Sequence, residues 1–504
     1  MQELAISQSR RRLIIIAMMS ASLMQALDTT IVNVAMPHIQ GAVGAAPDQI
    51  SWTLTSYLIA SAIVMPMTGY FTDLFGRRNY FLMCILGFTI TSALCGAAQS
   101  LTQIVLYRLL QGVFGAGLIP LSQAVMADIY PKEELGKAMA IWGTGVMVGP
   151  ILGPTLGGYL TDITNWRWIF YINIPVGIVA FMVAMQVLPN TAKIKRSVDW
   201  LGFVLVAIAI GATQYFLDRG NIDDWLNSTN IIIAMCLALT SFIGFIIYSL
   251  KFHHENSVFH LSLFLDPNFS LSCFMLVVLG VGMFGTLVIQ PLLLENLLHY
   301  PVLTAGLVMA PRGISCMIGL IIIGKYLKYL DLRIWIAGGI ILSIIGMWFG
   351  TKYSLDVDLW WLILPMILQG FGMGLILVPL SVIAFIKLPS SLSAEAAGLY
   401  NLLRVISSSI GIAITLTVFS RHTQIAWNHI GHFVQPYNPH FFTYLQKLHL
   451  SIYDPKAIKI VASVLARQAQ MLSFVDVFAF LMWSFIIMLP LVFLLRNPND
   501  KHNK

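Results

Sequence analysis

Long apolar runs recur along the whole chain, and they restrict what it can fold into more than any other feature. Of the 504 residues, 58% are hydrophobic and only 10% are charged, whereas soluble domains are about 25% charged. We count fourteen runs that approach the roughly 20 apolar residues a membrane-spanning helix requires. The sequence therefore predicts an all-α polytopic membrane protein with fourteen transmembrane helices.

Basic residues in the connections predict how these helices are oriented. If the N-terminus is cytoplasmic, most short loops rich in Lys and Arg lie on one side, among them 10–12 and 193–196. The short loops of the other side hold few basic residues, such as Arg167 and Arg219. The positive-inside rule then places both termini in the cytoplasm. Because the net charge of +7 is spread over many loops, it does not indicate nucleic-acid binding.

The first run contains a carboxylate, Asp28, in the stretch SLMQALDTTIVNVAMPHI. An ionisable side chain inside a membrane costs about 2.5 to 3.5 kcal/mol and usually faces the interior of a helix bundle. Gln25 and Asn33, with Ser22 and Thr29, recur around Asp28 at helical spacing, so we expect this face to line a polar cavity. Two interpretations are open: Asp28 binds a proton or a cationic ligand, or it forms a static ion pair with an arginine.

The fourth run, LYRLLQGVFGAGL, carries Arg108 and Gln111 at the head of a stripe of small residues. An arginine stays protonated when buried, so we expect Arg108 to influence a nearby acid, unless backbone carbonyls simply satisfy it. Two further arginines, Arg312 and Arg404, lie within the tenth and thirteenth runs. They are candidate functional residues for the same energetic reason as Asp28.

The fifth run, GTGVMVGPILGPTLGGYL, combines a glycine repeat with prolines. A glycine every four residues lets another helix approach closely, and a proline removes an intrahelical hydrogen bond and bends the helix. A bent, closely packed helix suits a gate. The residues concerned are Gly145, Gly149, Pro150, Gly153, Pro154 and Gly157.

A charged turn, GYFTDLFGRRNYF, joins the second and third runs on the predicted cytoplasmic side. Its acid and first arginine are four residues apart across a glycine, which suits a loop held by charge in one conformation and released in another. The candidate residues of this turn are Gly69, Asp73, Gly76, Arg77 and Arg78.

Catalytic and metal-binding chemistry is not indicated by the sequence. The five cysteines lie within predicted helices without a CxxC spacing, where small apolar side chains are the ordinary interpretation. We recognise no Ser-His-Asp arrangement, His-Cys cluster or phosphate-binding glycine loop. We therefore expect neither an enzyme nor a metal site.

One connection is much longer than the others. About fifty residues, approximately 420–473, separate the last two runs on the predicted external side, and loops of such length are often functional. From Pro455 onwards, apolar residues such as Ile458 and Leu465 recur at helical spacing. This pattern predicts an amphipathic helix that lies at the membrane interface or docks a partner.

Taken together, the motifs resemble the major facilitator superfamily, specifically its fourteen-helix drug:proton antiporter (DHA2) branch with the EmrB/QacA-type multidrug exporters. The resemblance covers essentially the whole chain. It rests on LDTTIVNVAMPHI, the charged turn, the fourth and fifth runs, AGLVMAPRG with Arg312, and AAGLYNLLRVISSSIGIA with Asn401 and Arg404. The chain departs from the branch at Glu295 and His299, where Gln and Gly are usual, which leaves the substrate preference open.

The resemblance implies two six-helix halves, at 1–190 and 269–504, with a linker and two additional transmembrane helices at 191–268. The C-terminal half would include the long external loop at about 420–473. Rocking of the halves would alternate access to a central cavity. The implied function is a proton-coupled multidrug efflux antiporter in the inner membrane, driven by the proton gradient without a cofactor, in which Asp28 binds protons and Arg108 tunes it.

The implied substrates are small amphipathic or cationic compounds that compete with protons. A narrower exporter of fatty acids or of an endogenous metabolite is the main alternative, and an importer of the same fold is less favoured because the fifth-run motif is typical of exporters. The long loop resembles a Gram-negative subgroup that works with a periplasmic adaptor (membrane fusion) protein and an outer-membrane channel. Besides these, the lipid bilayer is the expected partner.

Overall fold

A computed structural model describes residues 8–131, 134–189, 199–251, 261–388, 392–435, 438–447 and 454–496. Within these ranges the regular secondary structure is helical, which confirms the predicted all-α class. The basic residues at 193–196, on which the predicted orientation partly depends, lie outside the described residues.

Among the described residues, ten α-helices precede the predicted extra pair. They are α1 (Gln8–Val43), α2 (Pro47–Ile50), α3 (Trp52–Val64), α4 (Thr68–Phe75), α5 (Arg77–Ala97), α6 (Leu101–Gly115), α7 (Leu118–Ile129), α8 (Leu135–Ile163), α9 (Trp168–Tyr171) and α10 (Asn173–Val187). We call them the N-terminal group.

The extra pair and a second group follow. The pair is α11 (Trp200–Gly220) and α12 (Thr229–Lys251). The second group, here called the C-terminal group, consists of α13 (Pro267–Pro291), α14 (Val302–Tyr326), α15 (Leu332–Gly350), α16 (Leu359–Phe385), α17 (Ser393–Gly431), α18 (Pro439–Lys447) and α19 (Pro455–Leu491).

Thirteen helical segments among the described residues are long and apolar enough to cross a membrane. Two of them combine consecutive helices, α3 with α4 and α6 with α7. Helix α8 coincides with the fifth predicted run but is not one of the thirteen, so the count of fourteen stays a prediction, as does the cytoplasmic placement of both termini. The protein is a multi-pass membrane protein.

Helix packing is dense within each group and sparser between them. In the N-terminal group α1 packs against α8 and α10, and α6 packs against α3 and α5. In the C-terminal group α16 packs against α14 and α15, and α13 packs against α17 and α19. The groups meet where α14 and α16 touch α8 and where α17 touches α4 and α7.

The long connection near 420–473 is largely helical in its described part, so it contains more helix than the sequence pattern indicates. Helix α17 continues to Gly431, α18 follows, and α19 begins at Pro455 as the pattern predicted. The side chain of Ser473 donates to the carbonyl of Phe419 at 2.6 Å, and the rings of Phe419 and Phe474 lie 4.6 Å apart. The last two apolar runs are shorter than the helices α17 and α19 that contain them. The hydropathy pattern therefore misses the polar extensions of these helices.

Candidate functional site

The carboxylate of Asp28 lies at the centre of a closed polar cluster in the N-terminal group. Its Oδ2 atom is 2.5 Å from Nη1 of Arg108. Its Oδ1 atom accepts from the side-chain amides of Gln111 at 3.0 Å and of Asn173 at 3.1 Å. The side chains of Asp28 and Arg108 are 0% exposed. Asp28 is therefore closed off from solvent in this conformation, because neighbouring side chains occupy both oxygens of the carboxylate.

Arg108 is held by several groups besides the acid. Its Nε donates to the carbonyl of Thr53 at 3.0 Å, and its Nη1 also donates to Oε1 of Gln111 at 2.9 Å. The ring of Tyr57 lies 4.4 Å from the guanidinium carbon, which adds a cation–π attraction. The Nη2 atom is buried without a hydrogen-bond partner. This arrangement fixes the arginine and leaves one donor uncommitted.

Asn173 is the member of the cluster that the sequence analysis missed. It is the first residue of α10, directly after the short helix α9, and its amide also donates to Ser92 at 3.1 Å. It lies in the stretch NWRWIFYINIPVG, where the sequence signal is an asparagine between apolar residues. A polar side chain with no local partner in an apolar segment has to find one across helices.

The other predicted residues of the Asp28 face do not join the cluster. Gln25 is buried and its Oε1 accepts from the backbone N–H of Ile119 at 3.1 Å. Asn33 is exposed, and its amide makes only a long contact of 3.5 Å with the carbonyl of Thr29. The face of α1 that carries these residues is thus buried at Asp28 and exposed at Asn33, which lies toward the predicted external side.

The glycine repeat of α8 packs against α1, as its spacing predicted. A Cβ atom on Gly149 would lie 2.6 Å from backbone and side-chain carbons of Ala26, and one on Gly153 would overlap Thr30. Thr30 also donates to the carbonyl of Gly149 at 3.2 Å. Helix α8 continues through the prolines without interruption. The repeat therefore serves contact with the helix that carries Asp28.

The charged turn forms an ion pair with a neighbouring helix. Arg77 forms an ion pair with Asp128 of α7, because the turn brings the start of α5 beside the end of α7. Gly76 has φ +83° and ends α4, a conformation that favours glycine. Arg78 donates to the carbonyl of Met185.

The turn also contributes to the contact between the two groups. A Cβ atom on Gly69 would lie 3.0 Å from the Cβ of Glu395 in α17. Close by, the amide of Asn401 donates to Oε1 of Gln123 at 2.6 Å, which joins α17 to α7. The groups are therefore in contact at the ends of helices that the sequence places on the cytoplasmic side.

Two arginines in helices of the C-terminal group lack an acidic partner among the described residues. Arg312 is 8% exposed, donates from Nη2 to the carbonyl of Met283 at 3.1 Å, and keeps Nη1 buried without a partner. Arg404 is half-buried, with its guanidinium carbon 6.0 Å from the ring of Trp142 in α8. Glu295, near the predicted external end of α13, is also half-buried.

Comparison with known proteins gives the family. The model of the Major Facilitator Superfamily matches residues 18–412. The chain belongs to this superfamily of membrane transporters. A solved structure of a double-tryptophan variant of XylE has the same fold, with a TM-score of 0.60 at 14% identity, covering 97% of this chain and all of that chain.

Several multidrug export and resistance proteins are similar to this protein over most of its chain. Multidrug export protein EmrB of Haemophilus influenzae is 34% identical, covering 85% of this chain and 84% of that protein. EmrB of Escherichia coli K12 is 33% identical, covering 96% and 95%. Fatty acid resistance protein FarB of Neisseria gonorrhoeae is 33% identical, covering 95% and 94%.

Proposed function

We propose that the protein is a multidrug exporter of the inner membrane that uses the proton gradient to expel small amphipathic or cationic compounds. The observation that carries the proposal is the fully buried Asp28–Arg108 pair with its amide ligands. Similarity to multidrug export proteins over nearly the full length supports the direction and the class of cargo. The cycle needs no metal, cofactor or catalytic step.

The proposed coupling follows from the chemistry of the pair. As an anion, Asp28 is saturated by Arg108, Gln111 and Asn173. A proton on the carboxylate cancels its charge and releases the arginine, because a neutral acid attracts a guanidinium far less strongly. The freed charge changes the packing of α1 against α6. Proton binding and the arrangement of the N-terminal group are thereby linked.

We further propose that the halves correspond to 1–190 and 269–504, with 191–268 as an insertion. The two helical groups pack as separate units that touch through few helices, which supports rocking between them. The contacts of Gly69 with Glu395 and of Gln123 with Asn401 lie at the predicted cytoplasmic ends. In the proposed cycle these contacts close the inner side while Asn33 faces the outer opening.

The test uses the purified protein in vesicles with an imposed pH gradient, with transport of a cationic dye as the readout. Asp28→Asn should lower gradient-driven transport by about tenfold or more, within the usual range of coupling free energies. Full gradient-driven transport by Asp28→Asn would overturn the role of this acid.

A double variant separates the proton role from the static-pair interpretation. Asp28→Asn combined with Arg108→Gln removes both charges and leaves no buried ion unpaired. If the pair is only structural, the double variant regains what Asp28→Asn loses. If Asp28 carries the proton, the double variant folds and still shows no response to the pH gradient.

A narrower exporter of fatty acids or of an endogenous metabolite is the second candidate. The cations Arg312 and Arg404 have no carboxylate partner among the described residues, and a carboxylate cargo would supply one. FarB, a relative named for fatty acid resistance, supports it. Competition between a long-chain fatty acid and the dye in the same vesicles decides between a broad and a narrow cargo range. An importer is disfavoured by the exporter relatives.

We also propose a periplasmic adaptor protein and an outer-membrane channel as partners. The helical extensions of α17 and α19 and the helix α18, on the predicted external side, would offer a folded surface for such contacts. Deleting 424–460 should reduce drug resistance of cells while vesicle transport persists. Equal loss in both assays would contradict docking at this segment.

A further inference from the structure

A second carboxylate, Asp218, lies within a predicted membrane span outside the site described above. It belongs to α11, the first helix of the extra pair, and the candidate span there runs from Trp200 to Gly220. Its Oδ1 atom accepts from the side-chain amide of Gln214 at 3.2 Å. Its Oδ2 atom is buried and has no hydrogen-bond partner.

The amide of Gln214 reaches across to the C-terminal group. Its Nε2 also contacts Oγ of Ser409 in α17 at 2.5 Å, while its Oε1 is buried without a partner. Two neighbouring acceptor oxygens, Oδ2 of Asp218 and Oε1 of Gln214, therefore lack a donor. Buried acceptors in folded proteins are nearly always satisfied, so this cluster lacks a hydrogen-bond donor.

The cluster lies between the two helical groups. The side-chain hydroxyl of Thr55 in α3 interacts with the carboxylate of Asp218, and the rings of Trp52 in α3 and Tyr215 in α11 are 5.9 Å apart. On the other side, Nε1 of Trp225 donates to Oγ1 of Thr417 in α17 at 3.1 Å. The end of α11 thus bridges α3 of the N-terminal group and α17 of the C-terminal group.

The other charged and titratable groups near the contact of α11 with α3 and α17 either bind partners other than Asp218 or lie farther along their helices. On the α11 hairpin, Arg219 pairs with Asp223 at 3.3 Å, and Asp224 accepts from Asn227. Tyr215 of α11 lies beside Trp52, and Tyr57 of α3 lies against Arg108. Helix α12 carries Tyr248 and Lys251 at its opposite end. Helix α17 carries Arg404, which faces Trp142, and also Arg421 and His422.

We propose that Asp218 is a second proton-binding site of the transporter, held by α11 in the seam between α3 and α17. This inference rests on the proposed proton-coupled export. A proton on Oδ2 supplies the missing hydrogen, because it turns one unsatisfied acceptor into a donor. Asp28 differs, since both of its oxygens accept hydrogen bonds in the charged form.

A membrane interior also favours the neutral form of an acid that has no ion-pair partner, such as Asp218. Asp218 forms no ion pair among the described residues, and an ionised carboxylate without a cation costs most in a low-dielectric environment. Because its amide ligand is shared with Ser409, loss of the proton alters the link between α11 and α17. Proton uptake from the outside is thereby tied to the contact between the groups.

The first test is infrared difference spectroscopy on the full-length protein in vesicles, comparing acidic with neutral pH. The carbonyl band of a protonated carboxyl group should be present in the wild type and reduced in Asp218→Asn. Asp223→Asn, which alters an ion-paired acid on the same hairpin, should keep the band. Asp218→Glu should keep a band at a shifted position. An unchanged spectrum in Asp218→Asn overturns the proposal.

The second test measures transport with and without a pH gradient. In Asp218→Asn the ratio of gradient-driven to gradient-free transport should fall by about fivefold or more, and Asp218→Glu should restore part of it. A purely structural role would lower both modes equally and would overturn the proposal. If the wild type itself ignores the gradient, the proposed function fails, whereas the infrared band still decides whether Asp218 binds a proton.

Discussion

The two helical groups hold their buried arginines in opposite ways. In the N-terminal group Arg108 is neutralised by Asp28 within a closed cluster. In the C-terminal group Arg312 relies on a backbone carbonyl and Arg404 on the face of Trp142. A neutralised pair suits proton exchange, and an uncompensated cation suits attraction of an electron-rich or anionic ligand. We propose from this difference that the N-terminal group serves energy coupling and the C-terminal group serves cargo recognition.

Removing one arginine from each group gives the largest expected contrast. Arg108→Gln leaves Asp28 buried without its cation, which should cost about 3–5 kcal/mol of folding free energy. Arg312→Gln removes a charge that has no acidic partner, so we expect a much smaller loss or none. Thermal unfolding of the two purified variants in detergent measures both. Equal destabilisation would mean that the groups do not differ in this way.

Glycine contacts provide the second contrast. Gly149→Val in α8 would press two methyl groups against Ala26, and overpacking of this kind costs about 1–3 kcal/mol. Gly338→Val in α15 is the control, because no atom lies within 4 Å of the position. We expect transport to fall in the first variant and to persist in the second. Comparable activity of both would show that α1 and α8 need not pack closely.

Cargo preference offers a third and smaller contrast. Arg404→Gln should reduce transport of carboxylate-bearing amphipaths about fivefold relative to cationic dyes, since it removes one favourable charge interaction. The response to the pH gradient should remain, because Arg404 lies outside the Asp28 cluster. Vesicle transport of one anionic and one cationic compound gives the ratio. A parallel fall for both compounds would contradict a role in recognition.

Much of this arrangement follows from the sequence, and the exceptions have physical causes. The apolar runs, the glycine repeat and the pairing of Asp28 with an arginine were predictable, because helix periodicity and the cost of a buried charge leave few solutions. Asn173 was not, since its partners come from α1 and α5, far away in sequence. The ion pair of Arg77 with Asp128 was not predictable either, because only the tertiary packing brings α7 beside the charged turn.

Asp218 illustrates a different limit. The seventh apolar run ends at Leu217, so hydropathy alone places this acid in a connection, whereas the helix continues to Gly220. Its unsatisfied oxygen depends on the orientation of Gln214 and on Ser409 of α17. No periodicity carries that information, because it arises only when two distant segments meet.

The smallest expected contrast concerns backbone conformation where helices end. The N-terminal group uses Gly76 at φ +83°, whereas the C-terminal group places His299 at φ +58° after α13. The N–H of Tyr300 bonds to the carbonyl of Leu294 at 2.9 Å, which makes His299 the residue that reverses the chain at a helix end, a position that favours glycine. His299→Gly should stabilise the protein by up to about 1 kcal/mol.

The control for this exchange is the preceding residue. Leu298 has φ −88°, so Leu298→Gly gains nothing from glycine's freedom and should destabilise by about 1 kcal/mol through the entropy of the unfolded chain. Thermal unfolding of both variants distinguishes a conformational effect from the loss of a side chain. If His299→Gly destabilises as much as Leu298→Gly does, the imidazole itself stabilises this helix end, and the departure from glycine there reflects a contact at the predicted external mouth.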